Sequence, residues 1–112
     1  MSTERRVPDD PLAFIQCSMR ERRVFWSYHV NMRIRERSII RDQIFSAADT
    51  FEIIESNPDD KYLPSYLVYG KTTSAIIHVL LGIDCADSNI RVITAYYPDP
   101  AQWMGDFKRR KP

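Results

Sequence analysis

A chain of 112 residues, 44% hydrophobic and 28% charged, has room for one domain with a single modest core and none for internal repeats. The formal net charge of +1 excludes the strong overall field of a highly basic nucleic-acid binder. Met1 to Asp10 are charged without an apolar run, which predicts no signal peptide, and no stretch approaches the roughly 20 apolar residues that span a bilayer. Cys17 and Cys85 match no paired-ligand spacing and fit a reduced, cytoplasmic chain. With only two His and no Cys or carboxylate cluster near either, a closed zinc site lacks ligands, so neither metal nor cofactor is expected.

The chain opens on a polar segment, and Asp10-Pro11 supplies a cap followed by a first-turn proline. Leu12, Ile15 and Met19 then recur at helical spacing, predicting a first helix over 11–23. Val24-Phe25-Trp26 reads as extended or as a tight connection. A second helix is predicted over 28–37. Ser38 is the expected cap of a third, whose core face is Ile40, Ile44, Ala47 and Ala48 and which ends near Asp49. The period then becomes strand-like. Four strands are expected, over 51–55, 66–69, 75–81 and 90–97, joined by short polar turns that imply an antiparallel meander. The third is apolar on both parities, as for a strand covered on both faces, except for His78. Asp99 and Pro100 repeat the capping pattern, with Trp103, Met104 and Phe107 as the face of a short last helix. The expected fold is α+β: one domain over 1–112, with N-terminal helices on a four-stranded antiparallel sheet, a short C-terminal helix, and flexible ends at 1–10 and 108–112.

Charge is unevenly spread. From Arg20 to Arg41 there are seven Arg against Glu21 and Glu36, whereas Phe51 to Phe107 holds three basic residues against eight acidic ones. In the second helix His29, Arg33 and Arg37 lie four apart and form one cationic stripe beside the apolar pair Val30 and Ile34. Arginine suits bidentate phosphate contacts. Arg41 and the tail residues Lys108, Arg109 and Arg110 are further candidate RNA contacts. A solvated helix face has the same appearance.

A buried imidazole must be hydrogen-bonded, because an unpaired one would cost on the order of 1–3 kcal/mol. His78 is therefore either structural or the floor of a cleft whose wall is the arginine stripe. Tyr96 and Tyr97 occupy opposite faces of the neighbouring strand, and Tyr96 is the one expected to share that cleft. RNA can be cleaved without metal by attack of its 2′-hydroxyl on the adjacent phosphate, given a base, an acid and donors to the phosphoryl oxygens. His29 and His78 would supply the first two, Arg33 and Arg37 the donors. Trp26, Tyr28 and Tyr62 could stack bases, although Trp26 and Trp103 are assigned to the core.

The combination of His29, Val30, Arg33, Ile34, Arg37 and Ile39 with Ile77-His78-Val79-Leu80 and Ile93-Thr94-Ala95-Tyr96-Tyr97-Pro98-Asp99-Pro100 resembles a domain-of-unknown-function family of small bacterial proteins. Its motif runs His-Ala, Arg-Met, Arg-Gly-Ile, then His-Val, then Thr-Ala-Tyr-x-Pro-Asp. The similarity covers Val24 to Phe107, about three quarters of the chain, with Val30, Ile34 and Ser38 departing from the usual Ala, Met and Gly. That family looks like a member of the RelE- and BrnT-like toxin grouping of antiparallel-sheet ribonucleases often encoded beside an antitoxin. The resemblance implies a toxin-like, metal-independent ribonuclease with His29, Arg33, Arg37, His78 and Tyr96 as signature residues, an RNA substrate and an antitoxin partner. The alternatives are a protein-binding module, in which the Arg row pairs with acidic residues of a partner, and a noncatalytic RNA binder.

Overall fold

The computed structural model describes residues 6–112, so positions 1–5 of the expected flexible N-terminal end lie outside the described residues. Helix α1, Pro11–Arg20, starts as expected, the Asp10 carboxylate accepting from the Ala13 N–H at 3.0 Å. It stops short of Arg23 because Arg22 turns left-handed at φ 60°. The Arg23 N–H then reaches the Ser18 carbonyl and the Arg22 N–H that of Met19, satisfying carbonyls at the helix end. The chain leaves extended into strand β1, Val24–Trp26.

Helix α2, Tyr28–Glu36, is capped by Ser27, whose hydroxyl accepts from the Val30 N–H at 3.1 Å. Its end repeats that of α1: Ser38 is left-handed at φ 59°, with Ile39 N–H on the Ile34 carbonyl at 2.8 Å and Ser38 N–H on that of Arg35 at 3.1 Å. Ser38 therefore closes α2 and does not cap the next helix. Helix α3, Arg41–Ala47, begins at Ile40, whose N–H is taken by the Gln43 side chain at 2.8 Å. A single 3-10 turn, Ala48–Thr50, leads into the sheet.

The sheet has five strands and not four. Strands β2 (Glu52–Asn57), β3 (Ser65–Lys71), β4 (Ile76–Asp84) and β5 (Asn89–Tyr96) form the expected antiparallel meander. Beyond it, β1 adds to β5 in parallel, giving the order β1-β5-β4-β3-β2. Ile15 and Met19 of α1, Val30 and Ile34 of α2 and Ile44 of α3 are buried with Ile77, Val79, Leu81 and Ile83 of β4 and Ile90, Val92 and Ala95 of β5. All three helices thus cover one face, and each buried Ile, Leu or Val contributes roughly 1.5–3 kcal/mol.

On the other face Tyr69, His78 and Tyr96 stand side by side on β3, β4 and β5. A bulge in β5, where Leu80 faces Thr94 but Leu81 faces Val92, inserts Ile93 and keeps Tyr96 on the His78 side. The expected C-terminal helix is absent. After one turn at Asp99, the Met104 N–H goes to the Arg109 carbonyl at 2.7 Å and the Lys111 N–H to that of Gln102 at 2.9 Å, so residues 98–111 fold back on themselves as a strap. Trp103, 2% exposed, anchors this strap against the sheet, and an α-helical continuation would have had to release it.

Gly70 on β3 lies against the ring of Phe51, and a Cβ there would stand 2.9 Å from two ring carbons. Phe51 is itself 2% exposed and has no room to withdraw. The Gly70→Ala variant is expected to lose about 1–3 kcal/mol, read as a lower urea midpoint at unchanged slope.

Candidate functional site

The five residues expected to form one catalytic cleft separate into two groups. His78 is fully buried, at 0% exposure, on the sheet face opposite the helices. Its Nε2 lies 2.7 Å from the Phe107 carbonyl, which can only accept, so Nε2 carries the proton and Nδ1 accepts from the Tyr96 hydroxyl at 3.3 Å. The edge of the Trp103 ring closes the remaining side at 4.4 Å between centroids. Burial lowers the His78 pKa from its usual 6.5, outweighing the Phe107 carbonyl and Glu55, which favour the charged form. Burial likewise raises that of Tyr96 above 10.0. Both groups are held neutral, with no face of the imidazole open to a substrate.

His29 stands on the exposed side of α2, at the mouth of a cleft of about 570 Å³ formed with Phe25, Trp26, Arg91 and Ile93. It makes no hydrogen bond or ion pair among the described residues. Arg33, one turn on, is exposed and lies 3.8 Å from Glu36. Arg37 comes between the two groups: its Nη1 donates to the Ala95 carbonyl at 2.9 Å and to the Thr94 hydroxyl at 3.1 Å, on the part of β5 that β1 leaves uncovered. From there its charge is felt at the Tyr96 hydroxyl. The two imidazoles therefore do not share a pocket, because α2 docks on the Ile77/Val79 face of β4 and His78 belongs to the opposite parity.

The candidate RNA-contacting residues divide by partner. Lys108 pairs with Glu52 at 2.7 Å and lies over the Tyr69 ring; Arg109 pairs with Asp106 at 3.1 Å. Arg110 is bidentate on Glu55 and covers the Trp103 ring. Of the expected free basic tail, Lys108 and Arg110 are thus held on glutamates of β2 and Arg109 on Asp106 of the strap itself. Arg41, in contrast, donates twice to the Asn31 side-chain oxygen at 3.0 and 2.8 Å and stacks 4.8 Å from the Trp26 centroid. Its partners, like those of Arg37, are uncharged.

A family model described as a domain of unknown function, DUF4258, matches residues 26–97. The chain belongs to this family. No curated protein and no solved structure matches it. The DUF4258 span runs from Trp26 to Tyr97, so it carries α2, His78 and Tyr96, whereas α1, Phe25 and the strap lie outside it. Among the described residues of this DUF4258 protein no three His, Cys, Asp or Glu side chains converge in a way that could hold a metal ion, and no helix is long and apolar enough to cross a membrane.

Two surface residues that the sequence does not single out stand beside His29. Phe25, 60% exposed, and Arg91 face each other across the β1–β5 pair, with the guanidinium 6.0 Å from the ring centroid. The alternation of Val24 and Trp26 inward with Phe25 outward is the one signal available, and three residues are too few to establish it.

A neutral folded-state His78 makes stability depend on pH in a defined direction. Below 6.5 the unfolded chain binds a proton that the folded chain refuses, so stability is full above 6.5 and falls as pH drops toward the lowered folded-state value. Urea unfolding at about pH 7.5 and about pH 5.5 should show a loss of up to about 1.4 kcal/mol per pH unit in the native protein, and a smaller loss in His78→Gln.

Proposed function

We propose that this domain is an RNA-contacting module that uses the arginine-rich surface of α2 and its flanks. The observation that carries this reading is the kind of partner each cation has. In the strap Lys108, Arg109 and Arg110 are paired with Glu52, Asp106 and Glu55. Between Arg20 and Arg41 seven arginines face two glutamates: Arg23 and Arg33 lie beside Glu21 and Glu36, whereas Arg37 rests on Thr94 and Ala95, Arg41 on Asn31 and Arg22 over the Phe45 ring, all uncharged. Such contacts fix a guanidinium in place without cancelling its charge. Held at the surface, these groups form a positive field of short range, suited to a phosphate backbone and sensitive to salt.

A second reading, a toxin-like ribonuclease related to RelE and BrnT, draws support from His29. This imidazole is exposed, sits one turn from Arg33, and has its nitrogens free among the described residues. It could take the proton of a 2′-hydroxyl as that oxygen attacks phosphorus, with Arg33 on the phosphoryl oxygens and water protonating the departing 5′-oxygen. In this reading His78 and Tyr96 are structural, and an antitoxin would cover the same ridge with acidic side chains.

Fluorescence anisotropy with a labelled single-stranded RNA should show binding that weakens steeply with salt. Replacing both Arg33 and Arg35 by Ala should lower the slope of log K against log salt by about 0.7 for each phosphate that is no longer neutralised. Absence of salt-dependent binding overturns the module reading. Transcript cutting that disappears in His29→Ala while binding persists would establish the second.

A further inference from the structure

The face of the sheet opposite the helices is covered by the strap only at its His78 end. At the other end, where Gly82 pairs with Arg91, the strap is absent and the Leu63 and Ile93 side chains lie over the buried glycine. Two clefts of about 570 and 560 Å³ meet there, sharing Arg91 and Ile93 as common walls. The first runs to Phe25 and His29 at the sheet edge. The second crosses Gly82 and Leu63 to Tyr62. Gly82 lets Leu63 settle close to the sheet, since a Cβ there would meet Leu63 at 3.4 Å, and the floor is therefore Leu63 with Ile93. The result is one shallow trough across β5 and β4, beginning beside the α2 ridge.

Each end of the trough has the same pair of groups. Phe25 is 60% exposed with the Arg91 guanidinium 6.0 Å from its centroid, and Tyr62 is 83% exposed with the Lys61 ammonium 5.8 Å from its own. A surface that exposes two aromatic rings, each beside a cation, presents the unit that a nucleotide needs, a π-face for the base and a charge for its phosphate. Arg91 pairs with the largely buried Asp84 at 3.1 Å but keeps about half of its side chain exposed, and Asp60 in the lining accepts from the Ser65 hydroxyl at 2.8 Å. Bases paired in a duplex have no free faces for such rings.

We propose that this trough is a track for single-stranded RNA, with unpaired bases stacked on Phe25 and Tyr62 and the backbone passing Arg91 toward the His29–Arg33 ridge. The proposal rests on the RNA-contacting role above and specifies the form of RNA. Both rings are exposed, so their removal leaves the core intact.

Anisotropy is measured with a labelled oligouridine of about 12 nucleotides, within the roughly 4–16-nucleotide range of single-strand sites. Phe25→Ala and Tyr62→Ala should each weaken binding by roughly five-fold to over a hundredfold, the equivalent of about 1–3 kcal/mol per stacked base. Tyr62→Phe should restore binding, and the salt slope should stay at its native value in all three variants because no charge is removed. Native affinity in both Ala variants, with the Arg33/Arg35 variant still weakened, overturns the track and leaves the ridge as the RNA contact. Equal affinity for duplex RNA, or tighter retention of a thymidine oligodeoxynucleotide, also overturns it. Failure of the native protein to bind any RNA removes the underlying function as well.

Discussion

Strand β1 occupies only the first half of the β5 edge, from Ile90 to Val92, and Ser27 then turns the chain into α2 alongside the other half. Had β1 run on, the carbonyl of Ala95 would be a ladder partner. Instead the Arg37 side chain donates to it, and a helix end takes the place of a missing strand. This exchange locates α2 at the margin of the sheet with its apolar stripe, Val30 and Ile34, turned into the core. Its cationic side is thereby set at the boundary between the helix-covered face and the open one. The ridge and the trough adjoin for that reason.

The opposite face is organised by a buried imidazole. Both ring nitrogens of His78 are used, one by a backbone carbonyl of the strap and one by a neighbouring strand, so the ring ties the C-terminal segment to the middle of the sheet. An imidazole with one bond missing would leave a buried polar atom unsatisfied, at about 1–3 kcal/mol. Phe107 holds the accepting carbonyl in position from a left-handed conformation, φ 58°, uncommon for a bulky residue. The strap is thus specified by a hydrogen bond and an aromatic anchor, Trp103, more than by its own secondary structure.

Much of the fold is legible in the sequence because it is local. The 3.6 and 2 periodicities place the three helices and the four antiparallel strands, and Asp10-Pro11 begins a helix as expected. The failures share a cause in chain separation. Ser38 satisfies the rule for a helix start and equally that for a left-handed helix end, and only the Ile39–Ile34 bond decides between them. Asp99-Pro100 announces one turn, and the fate of the next residues is decided by His78, far away in the chain. Because β4 is apolar on both parities, nothing in the stretch Ile76 to Leu81 tells which face receives the helices. The meeting of His29 with His78 is therefore a matter of parity that the strand itself conceals, whereas the pairing of His78 with Tyr96 follows once the bulge at Ile93 is known.

The outermost strand of the sheet, β2, has one side without a strand neighbour. Two features make such a margin a poor template for another chain: the irregularity between Ile53 and Glu55, which interrupts a flat ladder, and the charged pairs that Glu52 and Glu55 make with Lys108 and Arg110. Ion pairs as exposed as these add little to folding free energy. Their importance is colloidal: ionised side chains along an unpaired ladder disfavour edge-to-edge association with a second chain.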